Sequence, residues 1–332
     1  MKILFNYKPW RAIIVLMVFL FSLFGSGIIG YRLAKGYKGA DISGNNKERH
    51  ESGYRFINPL LECEAPASFS GPIANLRTAL SDQASLFIDQ DKVSEVSVYF
   101  RDLNSGEWIG INDKAKFSPA SLMKVPILIA YLKLAEKDKD LLNKKLKITQ
   151  EREEALSQNI IPDQEIETGK EYTVWELLRY MVAYSDNLAV NVLLENMDTV
   201  QLDRVYNELG VYIPTQDMTE NFISVRDYAS FFRVLFNSSY LTREMSEKAL
   251  ELLSQTNFNQ GIVAGLPSYI TVAHKFGERR LPDSLQLHDC GIIYRTNSPY
   301  LLCIMTRGSD FRQMASVIEN LASLSFQKFD NR

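Results

Sequence analysis

The order of strand-like and helix-like segments is the feature that most restricts the fold of this 332-residue chain. Alternating apolar residues predict two early strands and three late ones, at 93–103, 108–111, 269–275, 285–294 and 300–306. Residues 137–255, which lie between the two groups, contain no convincing strand pattern. One sheet therefore has to be assembled from segments that are far apart in the sequence.

Helical spacing of apolar residues is typical of the remaining body. It predicts helices at 72–89, 121–135, 174–183, 187–196, 225–236, 243–253 and 310–326. With 46% hydrophobic and 23% charged residues, the composition is that of an ordinary globular protein. The sequence thus predicts an α/β fold with a block of helices, at about 137–255, between two groups of strands.

Residues 12–31 form a run of 20 residues without a charge. As a helix this run is about 30 Å long, which matches the hydrocarbon core of a bilayer. It is longer than the apolar core of a cleaved signal peptide, and no A-x-A cleavage pattern follows it. We therefore expect an uncleaved transmembrane signal anchor, a cytoplasmic segment at 1–11, an extracytoplasmic linker at 32–70 and a body at 71–330 outside the cell membrane. Residues 54–61 of the linker are more apolar, and we expect them to dock onto the body.

The charge and the metal-binding residues of the body exclude other classes of protein. Beyond residue 38 lie 31 of the 37 basic residues and all 40 acidic ones, and an acidic body argues against a nucleic-acid binder. Three histidines without an H-E-x-x-H pattern and three cysteines without zinc-type spacing argue against a metal site. We expect neither a metal nor another cofactor.

The first motif with chemical potential is an S-x-x-K pattern, Ser121 to Lys124, at the start of a predicted helix. Residues i and i+3 share a helix face, so the ammonium group of Lys124 can reach the hydroxyl of Ser121. A serine becomes a nucleophile when an adjacent base takes its proton, and burial lowers the pKa of a lysine toward that task. The same spacing recurs at 325–328, so this motif alone is weak.

The second motif is Ser185-Asp186-Asn187, at the junction of two predicted helices. Ser185 could relay a proton and Asn187 could hold a substrate amide, while Asp186 could cap the following helix. The alternative is that all three residues are helix caps, because Ser, Asp and Asn are the preferred residues there.

The third motif is Lys275-Phe276-Gly277, at the end of a predicted strand. Lys275 could bind a substrate carboxylate, and Gly277 would let a substrate approach the strand backbone. The alternative is a solvated lysine beside an ordinary strand-end glycine.

Order and spacing make the three motifs far more specific together than separately. S-x-x-K, S-D-N and K-x-G in this order, with 64 residues from Ser121 to Ser185, resemble the class A β-lactamase-like family of serine β-lactamases and penicillin-binding proteins. The flanking residues 117–120 and 172–178 are also similar to that family. The resemblance covers about residues 70–328.

This resemblance implies a β-lactamase/transpeptidase-like α/β fold, in which an antiparallel sheet flanked by helices joins an all-α subdomain and the site lies between them. It implies that Ser121 forms an acyl-enzyme with a β-lactam or a peptidoglycan stem peptide, with Lys124 as the base. Ser185 would relay a proton, and the backbone N–H groups of Ser121 and Glu278 would form the oxyanion hole. The substrate-binding residues would be Asn187, Lys275, Phe276 and Gly277.

Two departures from the family pattern bear on the reaction. Phe276 stands where the family has Thr or Ser, and its ring would either fill part of the pocket or point to the other face of the strand. The loop that carries the family's deacylating Glu is shortened, which leaves Asp217 or Glu220 as the candidate base, with a surface-turn role as the alternative. We therefore expect acylation followed by slow deacylation.

Three functions stay open at this point. They are a β-lactam-hydrolysing serine enzyme of the class A type, a DD-peptidase acting on peptidoglycan stem peptides, and a non-catalytic cell-wall or β-lactam binding protein. We expect a monomer that binds a small β-lactam or a peptidoglycan peptide and contacts the membrane through its N-terminal helix.

Smaller expectations concern the late strands. Cys290 and Cys303 lie on the two arms of a predicted hairpin, and we expect neighbouring buried thiols rather than a bridge. The pair His288-Asp289 could position Lys275 or His274.

Overall fold

The computed structural model describes residues 49–50, 53–62, 71–149, 160, 162–211 and 220–329. Its strands are β1 (Arg49–His50), β2 (Leu60–Glu62), β3 (Glu95–Asp102), β4 (Trp108–Ile111), β5 (Lys116–Phe117), β6 (Lys145–Lys147), β7 (Glu171–Thr173), β8 (Ile223–Ser224), β9 (Thr271–Arg280), β10 (Leu285–Tyr294) and β11 (Tyr300–Gly308). Its α-helices are α1 (Gly71–Asp89), α2 (Lys124–Ala135), α3 (Val174–Ala183), α4 (Asn187–Glu195), α5 (Thr199–Glu208), α6 (Val225–Phe236), α7 (Arg243–Leu253) and α8 (Phe311–Phe329).

The predicted transmembrane run at 12–31 lies outside the described residues, as does most of the predicted linker. Within the described ranges, no helix combines the length and the apolar character that a membrane span needs. The described part of the linker does pack on the body, because Phe56 and Ile57 are buried and donate their backbone N–H groups to the Glu247 carboxylate at 3.0 to 3.1 Å. The expected docking is confirmed for residues 55–59, whereas Tyr54 is exposed.

The central sheet brings together the early and the late groups of strands, as the sequence predicts. Its five antiparallel strands follow the order β4-β3-β11-β10-β9, and Asp102 of β3 lies opposite Tyr300 of β11. Strand β9 forms one edge and continues to Arg280, beyond the predicted end at residue 275, because it stays paired with β10 as far as Leu285. An edge strand keeps one side of its backbone available to a loop or a ligand.

Two hydrophobic cores lie on opposite faces of this sheet. The first is built from helices of the 124–253 region and includes Leu128, Leu177 and Phe232, with Ala273 from β9. The second lies against α1 and α8, and Phe276 of β9 belongs to it. Residues 273 and 276 point to different cores because side chains alternate along a strand.

The helical block differs from the sequence prediction in two details. It contains short strands, since β6 pairs with β7, and β8 pairs with β5. It also contains α5, which begins after the N-cap Asp198 and was not predicted because few of its residues are apolar. The division of the body at about 137–255 into an all-α subdomain stays a prediction.

The expectation of free thiols in the late hairpin was wrong. Cys290 and Cys303 lie directly opposite each other in the register of β10 and β11 and form a disulfide between fully buried side chains. They are neighbours, as expected, but their pairing depends on a strand register that the sequence does not specify. The Cα atoms are 4.0 Å apart.

Candidate active site

Residues from all three motifs line one cavity of about 620 Å³. Its lining is Ala120, Ser121, Met123, Lys124, Ile127, Ile160, Ser185, Asn187, Val190, Phe276, Glu278, Arg279 and Arg280. Ser121 lies in a 3-10 turn, Ala120–Met123, that leads into α2. Ala120 has a φ of 49°, a left-handed conformation that is costly for a residue with a side chain and is frequent at functional sites.

A buried serine holds the segment before this turn in place. Ser118 is 2% exposed; its N–H donates to Gln286 Oε1 at 2.9 Å, and its hydroxyl accepts the Asn221 N–H at 3.0 Å. Its carbonyl accepts a hydrogen bond from His288 Nε2 at 3.0 Å. Burial lowers the pKa of His288 to about 4, so this imidazole is a neutral donor at pH 7. Every polar group of Ser118 is therefore used to fix the position of Ser121.

Gly277 lets strand β9 lie directly against the turn. A Cβ atom at this position would stand 2.7 Å from the Pro119 carbonyl oxygen and 3.1 Å from the Leu122 nitrogen. Both atoms belong to backbone and cannot give way, so a side chain is excluded. The predicted reason for the glycine was approach of a substrate to the strand, whereas the observed reason is approach of the turn that carries Ser121.

Lys124 is 4% exposed and turns toward the second motif. Its ammonium group donates to the Ser185 carbonyl at 2.5 Å, to the Ser185 hydroxyl at 2.9 Å and to Asn187 Oδ1 at 2.8 Å. These three bonds satisfy the three protons of an ammonium group. The structure therefore joins the first and second motifs through the lysine.

The Ser185 hydroxyl lies between two lysines. Lys275, which is fully buried, donates to it at 3.1 Å and to the Phe276 carbonyl at 3.1 Å. Ser185 itself has a φ of 58°, so its backbone also adopts the left-handed conformation. Two strained residues, Ala120 and Ser185, thus lie in the lining of the same cavity.

Burial of two cations side by side changes their proton affinity. Desolvation lowers the pKa of Lys124 to about 7, against a smaller opposing effect of the Asp186 carboxylate. Desolvation and the charge of Lys124 hold the pKa of Lys275 well below its usual value, although Asp289 acts in the opposite direction. A lysine with a pKa near 7 is partly neutral at physiological pH and can accept a proton.

Asp186 is structural, as one of the sequence alternatives proposed. It is the N-cap of α4, and its carboxylate accepts the N–H groups of Ala189 at 3.0 Å and Ile166 at 2.9 Å. The capping-box pair of Thr173 and Glu176 similarly begins α3, which ends just before Ser185. These caps determine where the two helices meet and hence where Ser185 and Asn187 lie.

Phe276 belongs to the core rather than to an open pocket. Its side chain is 4% exposed, and its ring stacks on Phe258 with 4.3 Å between centroids. The Lys275 ammonium lies 4.0 Å from the centre of the ring. Of the two predicted orientations, the structure has the one toward the other face, although the residue still borders the cavity.

Of the two candidate bases for deacylation, the structure describes one. Asp217 lies outside the described residues. Glu220 does not belong to the cavity lining; its carboxylate accepts hydrogen bonds from the Ser118 hydroxyl and the Arg279 guanidinium. It therefore ties the segment before Ser121 to the end of β9.

Three residues of this site were missed by sequence reasoning. Ser118 and Gln286 are buried polar residues, and the position of Ser118 three residues before Ser121 was the available signal. Ile160, whose N–H donates to the Glu278 carboxylate at 3.0 Å, gives no sequence signal. On the predicted pair, Asp289 does contact His274, at 2.9 Å, whereas His288 contacts Ser118.

Comparisons with known proteins agree with this fold and identify the family. The family model of the beta-lactamase enzyme family matches residues 78–329, so the chain belongs to that family. Beta-lactamase ROB-1 of Haemophilus influenzae is 29% identical over 148 residues, 44% of this chain and 46% of that protein. A beta-lactamase of Citrobacter koseri is 28% identical over 177 residues, 49% of this chain and 58% of that protein. The chain thus spans about half the length of these curated relatives.

Solved structures show the shared fold. A mutant of PBP-A, in an acyl-enzyme complex with penicillin-G, superposes with a TM-score of 0.65 at 23% identity and covers 81% of this chain and 100% of that one. A class A beta-lactamase from Mycobacterium abscessus superposes with a TM-score of 0.63 at 20% identity, covering 75% and 99%. The β-lactamase/transpeptidase-like α/β fold, with its antiparallel sheet and flanking helices, is confirmed by these likenesses.

Proposed function

We propose that this protein opens β-lactams by forming an acyl-enzyme on Ser121 and releases the product slowly. The observation that carries the proposal is the Ser185 hydroxyl, which is hydrogen bonded to both Lys124 and Lys275 in the wall of a cavity that Ser121 lines. Burying two lysines side by side is costly, and such perturbed groups cluster at functional sites. The pKa of Lys124, lowered by burial to about 7, suits proton transfer at neutral pH, and the pKa of Lys275 is also lowered by burial.

In the proposed acylation step, the Ser121 oxygen attacks the carbonyl carbon of the lactam. The neutral amine of Lys124 takes the proton of the hydroxyl, and the lactam C–N bond breaks. Ser185 passes a proton to the departing nitrogen and is reprotonated by the lysines. One proton has then entered and one has left, so the acyl ester forms with no net change in the charge of Lys124 and Lys275. Asn187, which accepts from Lys124 and is itself exposed to the cavity, orients the lysine and the substrate amide.

The developing oxyanion would be stabilised by the backbone N–H groups of Ser121 and Glu278. Support comes from Gly277, the residue before Glu278, which packs closely against the backbone of Pro119 and Leu122. Those two residues flank Ser121 in the sequence. Backbone donors that are fixed before the reaction cost no reorganisation when charge develops.

Slow release is supported by the position of Glu220, which does not belong to the cavity lining. Release requires a water that is deprotonated beside the acyl carbonyl, and a misplacement of about 1 Å can cost roughly 10²-fold. The Glu220 carboxylate is bound by Ser118 and Arg279 instead. A mutant of PBP-A, which shares this fold, is described as an acyl-enzyme complex with penicillin-G.

Intact-mass spectrometry after addition of benzylpenicillin tests the proposal. We expect a mass increase of one penicillin on the wild-type protein, its loss in Ser121→Ala, and an adduct that persists for many minutes. An adduct that survives in Ser121→Ala would remove this serine from the role of nucleophile. Absence of an adduct on the wild-type protein would favour the non-catalytic binding alternative.

The same protein distinguishes a β-lactamase from a DD-peptidase. A chromogenic cephalosporin should give a burst near one equivalent and then a slow steady rate. Release of D-alanine from an acyl-D-Ala-D-Ala peptide, faster than that steady rate, would favour the DD-peptidase. Rapid linear turnover that is lost in Glu220→Ala or Asp217→Ala would instead assign one of these carboxylates as a working base.

We further propose that residues 12–31 anchor the chain in the cell membrane, with the body on the outer side. The length of this uncharged run supports the anchor, and a cell-wall or antibiotic substrate supports the orientation. Protease added to spheroplasts should digest the body and spare a short N-terminal fragment. A fully protected body would refute the orientation.

A further inference from the structure

The two backbone donors of the proposed oxyanion hole belong to different segments of the chain. Ser121 lies in the 3-10 turn Ala120–Met123, whereas Glu278 lies in the late strand β9. Two donors that bind one oxygen atom must be held at a fixed separation, because a misplacement of about 1 Å can cost roughly 10²-fold in rate. The contacts that join these two segments therefore determine the shape of the hole.

Glu220 is bound to both segments at once. Its Oε2 atom accepts a hydrogen bond from the hydroxyl of Ser118, which stands three residues before Ser121. Its Oε1 atom accepts one from the guanidinium of Arg279, the residue that follows Glu278. One carboxylate thus bridges the two segments that carry the donors.

The backbone beside Glu220 is itself fixed to the central sheet. The next residue, Asn221, has a left-handed φ of 52°, and its N–H donates to the Ser118 hydroxyl at 3.0 Å. The Asn221 side-chain oxygen accepts from Gln286 of β10 at 2.8 Å and from Arg307 of β11 at 3.2 Å. Satisfied polar networks of this kind make a local structure rigid, so the carboxylate extends from a defined position.

The bridge adds a restraint that packing alone does not give. Gly277 packs against the backbone of Pro119 and Leu122, and this contact resists closer approach of the two segments far more strongly than their separation. A carboxylate with a hydrogen bond on each side opposes separation, and hydrogen bonds to charged groups are the stronger ones. Packing and bridge together hold the two segments at one distance.

We propose that Glu220 is a positioning residue that sets the distance between the two donors of the oxyanion hole. The inference rests on the proposed acyl-transfer function and replaces the role of deacylating base that the sequence left open for Glu220. Negative charge develops on the acyl oxygen both when the ester forms and when it is released, so a positioning residue affects both steps. A base for deacylation affects release alone.

Acylation rates and one vibrational band, measured on the full-length protein, test the proposal. We expect Glu220→Ala to slow acylation by benzylpenicillin about 10- to 100-fold. The ion pair with Arg279 is partly exposed and contributes little to stability, so Tm should stay within about 4 °C of wild type. In the adduct, the stretching band of the ester carbonyl should move to higher frequency, because weaker hydrogen bonds leave the double bond stronger. Difference infrared spectroscopy with isotope-labelled benzylpenicillin measures this band, which a loss of stability alone would not move.

Three further variants control the measurement. Glu220→Gln keeps the length of the side chain and one acceptor oxygen, so its effects should lie between those of wild type and Glu220→Ala. Arg279→Ala breaks one of the two bonds, and the double variant should be no slower than Glu220→Ala itself. Glu244→Gln removes the charge from an exposed ion pair with Lys248 on α7 and should change neither the rate nor the band.

The possible outcomes separate this inference from the proposed function. Acylation of Glu220→Ala within about twofold of wild type, with an unmoved carbonyl band, would overturn the inference alone. So would a longer-lived adduct formed at an unchanged rate, since that would assign Glu220 to deacylation as a base. Rate losses that multiply in the double variant would also overturn it, because they would show that Glu220 and Arg279 act independently. No adduct on the wild-type protein would overturn the proposed function and this inference together.

Discussion

Two consecutive residues of strand β9, His274 and Lys275, point to opposite faces and have different kinds of buried partner. On one face, His274 donates to Asp289 at 2.9 Å, and the second oxygen of that carboxylate accepts the Ile262 N–H at 3.0 Å. On the other face, the next residue, Lys275, lies beside Lys124 around one serine hydroxyl. The first pair is a hydrogen-bond donor with a matching acceptor, whereas the second pair consists of two lysines.

This difference separates a structural from a reactive environment on one strand. Buried polar groups whose hydrogen bonds are all satisfied make a local structure rigid. Burial lowers the pKa of both lysines, and the neighbouring charge of Lys124 lowers the pKa of Lys275 further. The two lysines share the hydroxyl of Ser185, which lines the cavity, and proton transfer is useful there.

The largest effect on acylation is expected when Lys124, the proposed base, is removed. We expect Lys124→Ala to slow acylation by benzylpenicillin by about 10²- to 10⁴-fold, because general-base catalysis contributes on that scale. Stopped-flow or mass measurements on the folded variant give the rate constant. A loss below about tenfold would assign the base to another group, with Lys275 the first candidate.

The pH dependence of acylation tests the assignment of Lys124 as the base. The pKa of Lys124 is about 7, so its amine is protonated below that pH and cannot accept the proton of Ser121. We expect the acylation rate constant to fall about tenfold per unit below pH 7 and to level off above it. The residual rate of Lys124→Ala should lack this limb; a profile unchanged by the substitution would contradict the assignment.

Removing the carboxylate of Asp289 should affect the stability of the fold more than the rate of acylation. Asp289→Ala leaves the buried donors of His274 and Ile262 without their acceptor. We therefore expect the free energy of unfolding to fall by about 2 to 5 kcal/mol. Acylation by the folded fraction should fall less than about fivefold, because Asp289 only modulates the charge of Lys275. Denaturant unfolding measures the first quantity. Unchanged stability with lost acylation would show that Asp289 serves the reactive face.

The smallest effect on acylation is expected at Phe276. Its ring stacks on Phe258 in the second core, so Phe276→Leu should cost about 1 kcal/mol in packing and change the acylation rate less than threefold. A paired measurement on Phe258→Leu controls for the loss of stacking. A change in rate above tenfold at Phe276 alone would mean that the ring fills space a substrate needs.

Much of this arrangement could be predicted from the sequence. Long elements with a clear period, such as the helices at 225–236 and 243–253, were predicted with their observed bounds, because ten or more residues define a period. The strands of two or three residues at 145–147 and 171–173 could not be, since a period of two needs more residues than they have. Their pairing is set by tertiary contacts.

The convergence of the three motifs was predictable, but the contacts that hold the site together were not. The three motifs converge on one cavity as the resemblance implied, whereas three details depended on tertiary geometry. These are the binding of Glu220 by Ser118 and Arg279, the packing of Gly277 against the turn, and the disulfide of Cys290 with Cys303. Each joins residues from different elements, and nothing local in the sequence specifies such pairs.

The pairing of β3 with β11 also has a consequence for biogenesis. These neighbouring strands are separated by about 200 residues, so a ribosome adding about 5 to 20 residues per second makes the second strand roughly 10 to 40 s after the first. Until then β3 can pair only with β4, and its other edge is exposed to aggregation. Ser121 is made early as well, yet Gly277 and Lys275 reach it only when the last third of the chain has been made. A nascent or C-terminally truncated chain would therefore carry the nucleophile without the strand that completes its site.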